Sequence, residues 1–161
     1  MLLPVIDARE DFRRSGPDAA DGPSLVAVGV DGSDSAWRAF AWALGHARRS
    51  HCPVLAIYVS GPVFMDALMP SVPVDESIAD ARRELAEEIG AEIGRMAAEL
   101  HVRVRFEYRD GDPARVLLAA AEKSGADMLV LGASMQGVHR IAGSLPGRLV
   151  RCRRLPVVVI P

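Results

Sequence analysis

The chain contains almost no lysine and very little cysteine. Lys123 is the single lysine among 19 basic residues, which removes most candidates for a phosphate-binding or Schiff-base lysine. Cys52 and Cys152 match neither a metal-ligand spacing nor a disulfide framework. A reducing, cytoplasmic location is therefore expected.

An excess of charge and a long apolar run are also missing. The net charge of −2 argues against bulk binding of nucleic acid. The longest apolar runs are too short to cross a bilayer. Residues 1–6 are apolar but lack the basic start and the cleavage site of a signal peptide. We therefore expect neither a nucleic acid nor a membrane as partner.

Motifs of well-known catalytic sites are absent as well. The sequence has no Gly-Lys-Ser/Thr of a Walker A loop, no Ser/His/Asp set at nucleophile-elbow spacing and no HExxH. The four histidines, His46, His51, His101 and His139, are scattered. We predict no catalytic residue and no protein-held metal, and we keep an enzyme with slow ATP hydrolysis as a less favoured alternative.

A chain of 161 residues predicts one domain with a single core, preceded here by a different kind of segment. Residues 1–23 combine a charged stretch with Gly16, Pro17, Gly22 and Pro23, which is typical of a flexible leader. A docking role for its first apolar residues is the alternative. The predicted domain covers residues 24–161.

Strands and helices alternate along this domain. Apolar strands are predicted at 25–30, 54–59, 102–108, 128–132 and 155–160, and helices after Ser33, at 77–100, at 113–124 and at 146–154. Short apolar strands joined through helices predict an α/β fold: a five-stranded, mostly parallel, doubly wound sheet with helices on both faces.

Two loops suggest where a ligand binds. Residues 61–75 form a long, proline-containing loop, either a lid or a segment packed on the core. Residues 128–154 read as strand, glycine-containing loop and helix start, the parts of a phosphate cradle. Ligands of such sheets lie at the carboxyl ends of strands, where Asp31, Val59 and Gly132 are expected to meet.

Five segments together resemble the universal stress protein family. They are VAVGVDGS (26–33), GDP (111–113), ADMLVLG (126–132), GS (143–144) and PVVVI (156–160), in that order. The resemblance covers about residues 24–161. It implies a five-stranded, Rossmann-like domain of the adenine-nucleotide-binding type, and a homodimer that pairs through the closing strand, residues 155–160.

The family contains members that bind ATP and members that do not. The ATP-binding pattern is glycine, two residues, glycine, nine residues, then glycine and serine. Gly132 and Gly143-Ser144 fit its ends, but Met135 occupies the second glycine position and the loop is two residues shorter. Gly137 is a substitute at a different offset.

The resemblance implies a set of site residues for ATP, with or without Mg²⁺. Asp31 would bind adenine or ribose, and Val59 would line the adenine slot. His139 and Arg140 would supply positive charge. The complete predicted cofactor-binding set is Val30, Asp31, Val59, Leu131, Gly132, Gly137, His139, Arg140, Gly143, Ser144 and Leu145.

Each of these positions also has a purely structural interpretation. Asp31 could instead cap the first helix, Gly132 could only permit a tight strand exit, and Ser144 could be the N-cap of the last helix. His139 and Arg140 could belong to a solvated loop. The favoured function is therefore an ATP-binding regulatory module of the stress response. The alternative is a nucleotide-free dimeric regulator of the same fold with a degenerate phosphate loop.

Overall fold

The sheet at the centre of the domain has five strands, each parallel to its neighbours. In chain order they are β1 (Val26–Val30), β2 (Val54–Ser60), β3 (Val104–Asp110), β4 (Met128–Gly132) and β5 (Val157–Ile160). Their order across the sheet is β3-β2-β1-β4-β5. The computed structural model describes residues 24–61, 76–133 and 144–161, with the backbone alone described for 76–79.

In the described part of the chain, four helices cover the two faces of this sheet. They are α1 (Asp34–Ser50), α2 (Glu76–Leu100), α3 (Pro113–Ser124) and α4 (Leu145–Cys152). Buried residues of α1 and α2 pack on one face, and those of α3 and α4 pack on the other. The predicted doubly wound α/β fold is confirmed.

Successive side chains of the central strands point to opposite faces of the sheet, and this divides the core into two layers. Val26 and Val28 point to the α1–α2 side, whereas Leu25 and Ala27 point to the α3–α4 side. Each of these four side chains is at most 1% exposed. Because helices cover both faces, the central strands are apolar throughout rather than alternating with polar residues.

Polar residues and glycine set the ends of the helices as the sequence predicts. The Ser33 hydroxyl accepts from Ala36 N–H at the start of α1, and the Asp112 carboxylate accepts from Arg115 N–H at the start of α3. Gly125 ends α3 with a left-handed φ of 68°. These local signals explain why the predicted start and end of α3 agree with the structure.

Some boundaries and one buried face differ from the prediction. The strand predicted at 102–108 lies two residues later, at the sheet edge as expected. The last helix ends at Cys152, because Arg153 adopts a left-handed φ of 53°. In α2, Ile89 and Ile93 are buried as the apolar spacing predicts, but Leu85 is 40% exposed and its neighbour Ala86 is buried instead.

Two predicted features lie outside the described residues. They are the flexible leader, residues 1–23, and the predicted lid, of which residues 62–75 are not described. Within the described ranges, no helix combines the length and the apolar character needed to cross a membrane.

Candidate functional site

A cleft opens where the direction of strand addition reverses. The chain adds β2 and β3 on one side of β1, then returns to add β4 and β5 on the other side. The connections that leave the carboxyl ends of β1 and β4 therefore diverge, and a crevice remains between them. Its volume is about 670 Å³, large enough for a nucleotide-sized ligand.

Two glycines allow close packing at the floor of this cleft, Gly132 against backbone and Gly29 against a side chain. A Cβ on Gly132 would lie 2.8 Å from the Ala36 nitrogen and would overlap the Ser35 carbonyl group. A Cβ on Gly29 would lie 2.8 Å from Leu131 Cδ2. The end of β4 can therefore contact the first turn of α1 only because residue 132 has no side chain.

Asp31 follows β1 and organises the turn into α1. Its Oδ1 accepts from the Ser33 backbone N–H at 3.0 Å and from the Ser33 hydroxyl at 2.6 Å. Ser33 in turn caps α1 through Ala36 N–H at 3.2 Å. The side chain of Asp31 thus has a structural role, and it remains exposed at the mouth of the cleft.

The first turn of α1 forms one polar wall. Asp34, Ser35 and Ala36 line the cleft, and Ser35 is only 8% exposed, with its hydroxyl 3.2 Å from that of Ser33. Backbone N–H groups at a helix start carry partial positive charge. This wall therefore offers hydroxyl groups and a positive dipole end.

The opposite wall is apolar. Ile57 and Val59 of β2 and Leu117 of α3 lie there, next to Leu131 of β4. Pro113, Leu145 and Pro146 complete it where α3 and α4 begin. An apolar surface of this kind suits the flat face of a planar ring.

Charged side chains of both signs line the cleft within the described part of the chain. Asp31 and Asp34 are acidic and Arg38, one turn into α1, is basic. The Arg38 guanidinium makes no hydrogen bond or ion pair with any residue that the structure describes. An anionic group in the cleft would therefore find a cation on the α1 side.

An ion pair joins the two helix starts on the apolar side. Arg148 Nη2 lies 2.9 Å from Asp112 Oδ1 and 3.0 Å from Asp112 Oδ2. The backbone N–H of Arg115, and then the Arg148 guanidinium, hold the pKa of Asp112 below its usual value. The carboxylate is therefore charged at neutral pH and joins α3 to α4 beside Pro113 and Pro146.

The cleft brings together many of the residues predicted from the sequence. Those that line it are Val30, Asp31, Val59, Leu131, Gly132 and Leu145. Ser144 directly precedes Leu145 and caps α4, its hydroxyl accepting from Gly147 N–H at 3.3 Å. Gly137, His139, Arg140 and Gly143 lie outside the described residues, as does Met135.

Several residues that line the cleft were not predicted, although the sequence pattern indicates some of them. Ser35 and Arg38 belong to the polar side of α1, whereas the helical pattern draws attention to its apolar face. Arg38 follows Asp34 by four residues, so both share one side of the helix. Ile57 precedes Val59 by two residues and so points to the same face of β2. Leu117 has no such signal, because its position depends on how α3 packs.

The fold and this cleft define a doubly wound α/β protein with its crevice at the topological switch point. The model of the universal stress protein family matches residues 25–161. A universal stress protein of Methanocaldococcus jannaschii is 31% identical over 137 residues, which cover 84% of this chain and 80% of the relative. The chain belongs to the universal stress protein family.

Solved structures have the same fold. Universal stress protein UspA of Lactobacillus plantarum is 27% identical with a TM-score of 0.73, over 85% of this chain and 97% of that one. A family protein of Arabidopsis thaliana, solved with AMP bound, is 22% identical with a TM-score of 0.61, over 84% of this chain and 90% of that one. At that lower identity the likeness concerns the fold alone.

Proposed function

We propose that the protein is a regulatory module that binds an adenine nucleotide, ATP in particular, in the cleft between β1 and β4. The observation that carries the proposal is the cleft itself, in which an apolar wall faces a helix start at the switch point of the sheet. Dinucleotide-binding and mononucleotide-binding sheets place their ligands at this point.

The chemistry of the two walls suggests how the nucleotide lies. Adenine would contact Val59 and Ile57, and the Asp31 carboxylate would accept hydrogen bonds from ribose or the base. The phosphates would then extend past Gly132 toward Leu145, whose backbone N–H is the first at the start of α4. The next residue, Pro146, has no N–H, and Gly147 N–H donates to the Ser144 hydroxyl. Arg38 lies on the α1 side of this path.

The phosphate end of the site also includes residues known from the sequence alone. Gly137, His139, Arg140 and Gly143 belong to the segment that joins β4 to α4. They remain proposed phosphate contacts, with Mg²⁺ arriving on the nucleotide. The AMP bound to the Arabidopsis relative supports an adenine nucleotide as the ligand, but it does not indicate how many phosphates that nucleotide carries.

We further propose that the protein forms a homodimer through the free edge of β5. The edge strand β3 carries Glu107, which pairs with Arg105 at 3.0 Å and with Arg109 at 2.6 Å, and charged edges resist strand pairing. On β5, by contrast, Val159 is 42% exposed. The apolar edge is the better surface for a second copy.

Calorimetric titration of ATP into the full chain tests the nucleotide proposal. The wild type should show saturable binding, and Asp31→Asn should weaken it by about tenfold, the effect of losing one hydrogen bond to a charged group. Asparagine retains an oxygen that can accept from Ser33, so the turn into α1 is preserved. Asp80→Asn, the same change at an exposed site on α2, is the control and should leave the affinity unchanged.

The same titration separates the proposal from its alternative. Absence of binding by the wild type at millimolar ATP, with the dimer intact, would favour the nucleotide-free regulator that Met135 and the shortened loop suggest. Turnover of ATP well above background would instead favour an enzyme.

A further inference from the structure

An ion pair joins α3 to α4 at the cleft end, and a second pair joins α3 to the segment that follows α4. At the cleft end, Arg148 contacts both carboxylate oxygens of Asp112. At the far end, Arg154 Nε lies 2.7 Å from Glu122 Oε1. Solvent reaches both pairs, so neither is expected to contribute much to stability. The two pairs differ in position, because only the Asp112–Arg148 pair lies beside the cleft, next to Pro113 and Pro146.

The Asp112 carboxylate fixes two helix starts at once. Its Oδ1 accepts from Arg115 N–H, which defines the first turn of α3, and both of its oxygens accept from Arg148. Arg148 lies one turn after Ser144, and its backbone N–H donates to the Ser144 carbonyl at 2.9 Å. The position of the α4 start is thereby tied to the position of the α3 start.

Helix α4 is short, and half of its residues are exposed. The helix has eight residues, of which Pro146 and Leu149 are buried. Val150 is 54% exposed, and Arg151 and Cys152 are also exposed. Pro146 and Leu149 hold this short helix against the core, with Leu145 packed beside them, and the pair with Asp112 adds a polar contact at its cleft end.

We propose that Asp112 is a positioning residue for the nucleotide site, acting through Arg148 on the start of α4. The inference rests on the proposed function, because the phosphates are the ligand atoms that meet α4. The charge-assisted contact from Arg148 Nη2 to the carboxylate fixes the distance between the two helix starts, so it sets where the backbone N–H of Leu145, the first of α4, points. Glu122 lies near the end of α3 and Arg154 lies after α4, so their pair is too far from the start of α4 to have this effect.

Two substitutions separate this role from helix capping. Asp112→Asn retains a good N-cap but loses the charge pair with Arg148. Arg148→Gln removes the partner and leaves the cap of α3 intact. Each should weaken ATP binding by about fivefold, and the double variant should be no weaker than either alone. Glu122→Gln removes the matched pair at the far end and should leave ATP affinity unchanged.

Adenosine provides the readout that a general loss of stability would not produce. Because adenosine has no phosphates, its affinity should be the same in Asp112→Asn as in the wild type. Amide hydrogen exchange of the free protein should be faster at residues 145–149 in Asp112→Asn and unchanged there in Glu122→Gln.

The outcomes that would overturn the inference are of two kinds. In the first, the wild type binds ATP and Asp112→Asn binds it equally well, so this inference fails while the proposed function stands. The inference fails in the same way if Glu122→Gln weakens ATP binding as much as Asp112→Asn does, or if adenosine affinity falls in parallel. In the second, the wild type binds no ATP, and both proposals fail together.

Discussion

Gly132 occupies a position where any side chain would meet backbone rather than a movable neighbour. The carbonyl of Ser35 and the nitrogen of Ala36 fill the space a Cβ would need. The sequence pattern is compatible with either a tight strand exit or a phosphate contact for this glycine. The structure gives it a third role, the direct packing of β4 against α1.

We therefore expect Gly132→Ala to lower the free energy of unfolding by about 2 kcal/mol, the usual cost of overpacking. Gly45→Ala is the control, since Gly45 lies within α1 and its nearest contact for a Cβ is the Arg49 guanidinium at 3.4 Å. That change should stabilise the protein by up to about 1 kcal/mol through helix propensity. Urea denaturation of both variants provides the comparison, and equal effects would contradict the packing argument.

The residues of the cleft show how far a sequence can predict a site. Asp31 and Gly132 are predictable because each lies at the end of an apolar strand, and the ends of parallel strands share one edge. Arg148 reads from the sequence as part of a solvated helix face. Its pairing with Asp112 joins residues that are 36 positions apart, and such a contact depends on packing between helices rather than on local pattern.

At the scale of elements, residues close together in the sequence predict where a helix begins and ends. They do not predict the order of the strands in the sheet. Asp112-Pro113 and Gly125 predict both ends of α3, since a cap and a left-handed glycine act within one turn. No local signal states that β4 pairs with β1 rather than with β3. The order follows from which apolar faces pack best, a property of the whole sheet.

The start of α3 makes stability depend on pH. The folded pKa of Asp112 lies below its usual value, so its contribution is present above that usual value, about 3.9, and is lost as the pH falls through the lowered folded pKa. The wild type should therefore exceed Asp112→Asn in free energy of unfolding at pH 6, and this difference should shrink as the pH falls toward about 3. Urea denaturation of both proteins across this range measures it; a difference independent of pH would contradict the assignment.

At the scale of the whole molecule, the two edges of the sheet are chemically different. The β3 edge is charged, and the β5 edge is apolar and closely follows α4. Because one edge is protected by charges, a second copy would pair with the sheet at the other edge. Such an arrangement fits an assembly of two copies better than an extended assembly of many copies.

If the proposed dimer forms through β5, Val159→Arg should yield a monomer, because charges placed on a pairing edge would face each other across the two-fold axis. Arg109→Val, the reverse change on the opposite edge, should leave the dimer intact. Sedimentation velocity of both variants measures the state. A dimer that survives Val159→Arg would place the interface elsewhere.

The central claim is that a nucleotide occupies the cleft at the switch point of the sheet. Titration of ATP into the ¹⁵N-labelled full chain, followed by amide chemical shifts, tests it most directly. We predict saturable shifts of the amides of Asp31, Gly132 and Leu145, with Gly125 at the far end of α3 unchanged. No saturable shift at millimolar ATP, or shifts confined to residues away from this cleft, would contradict the claim.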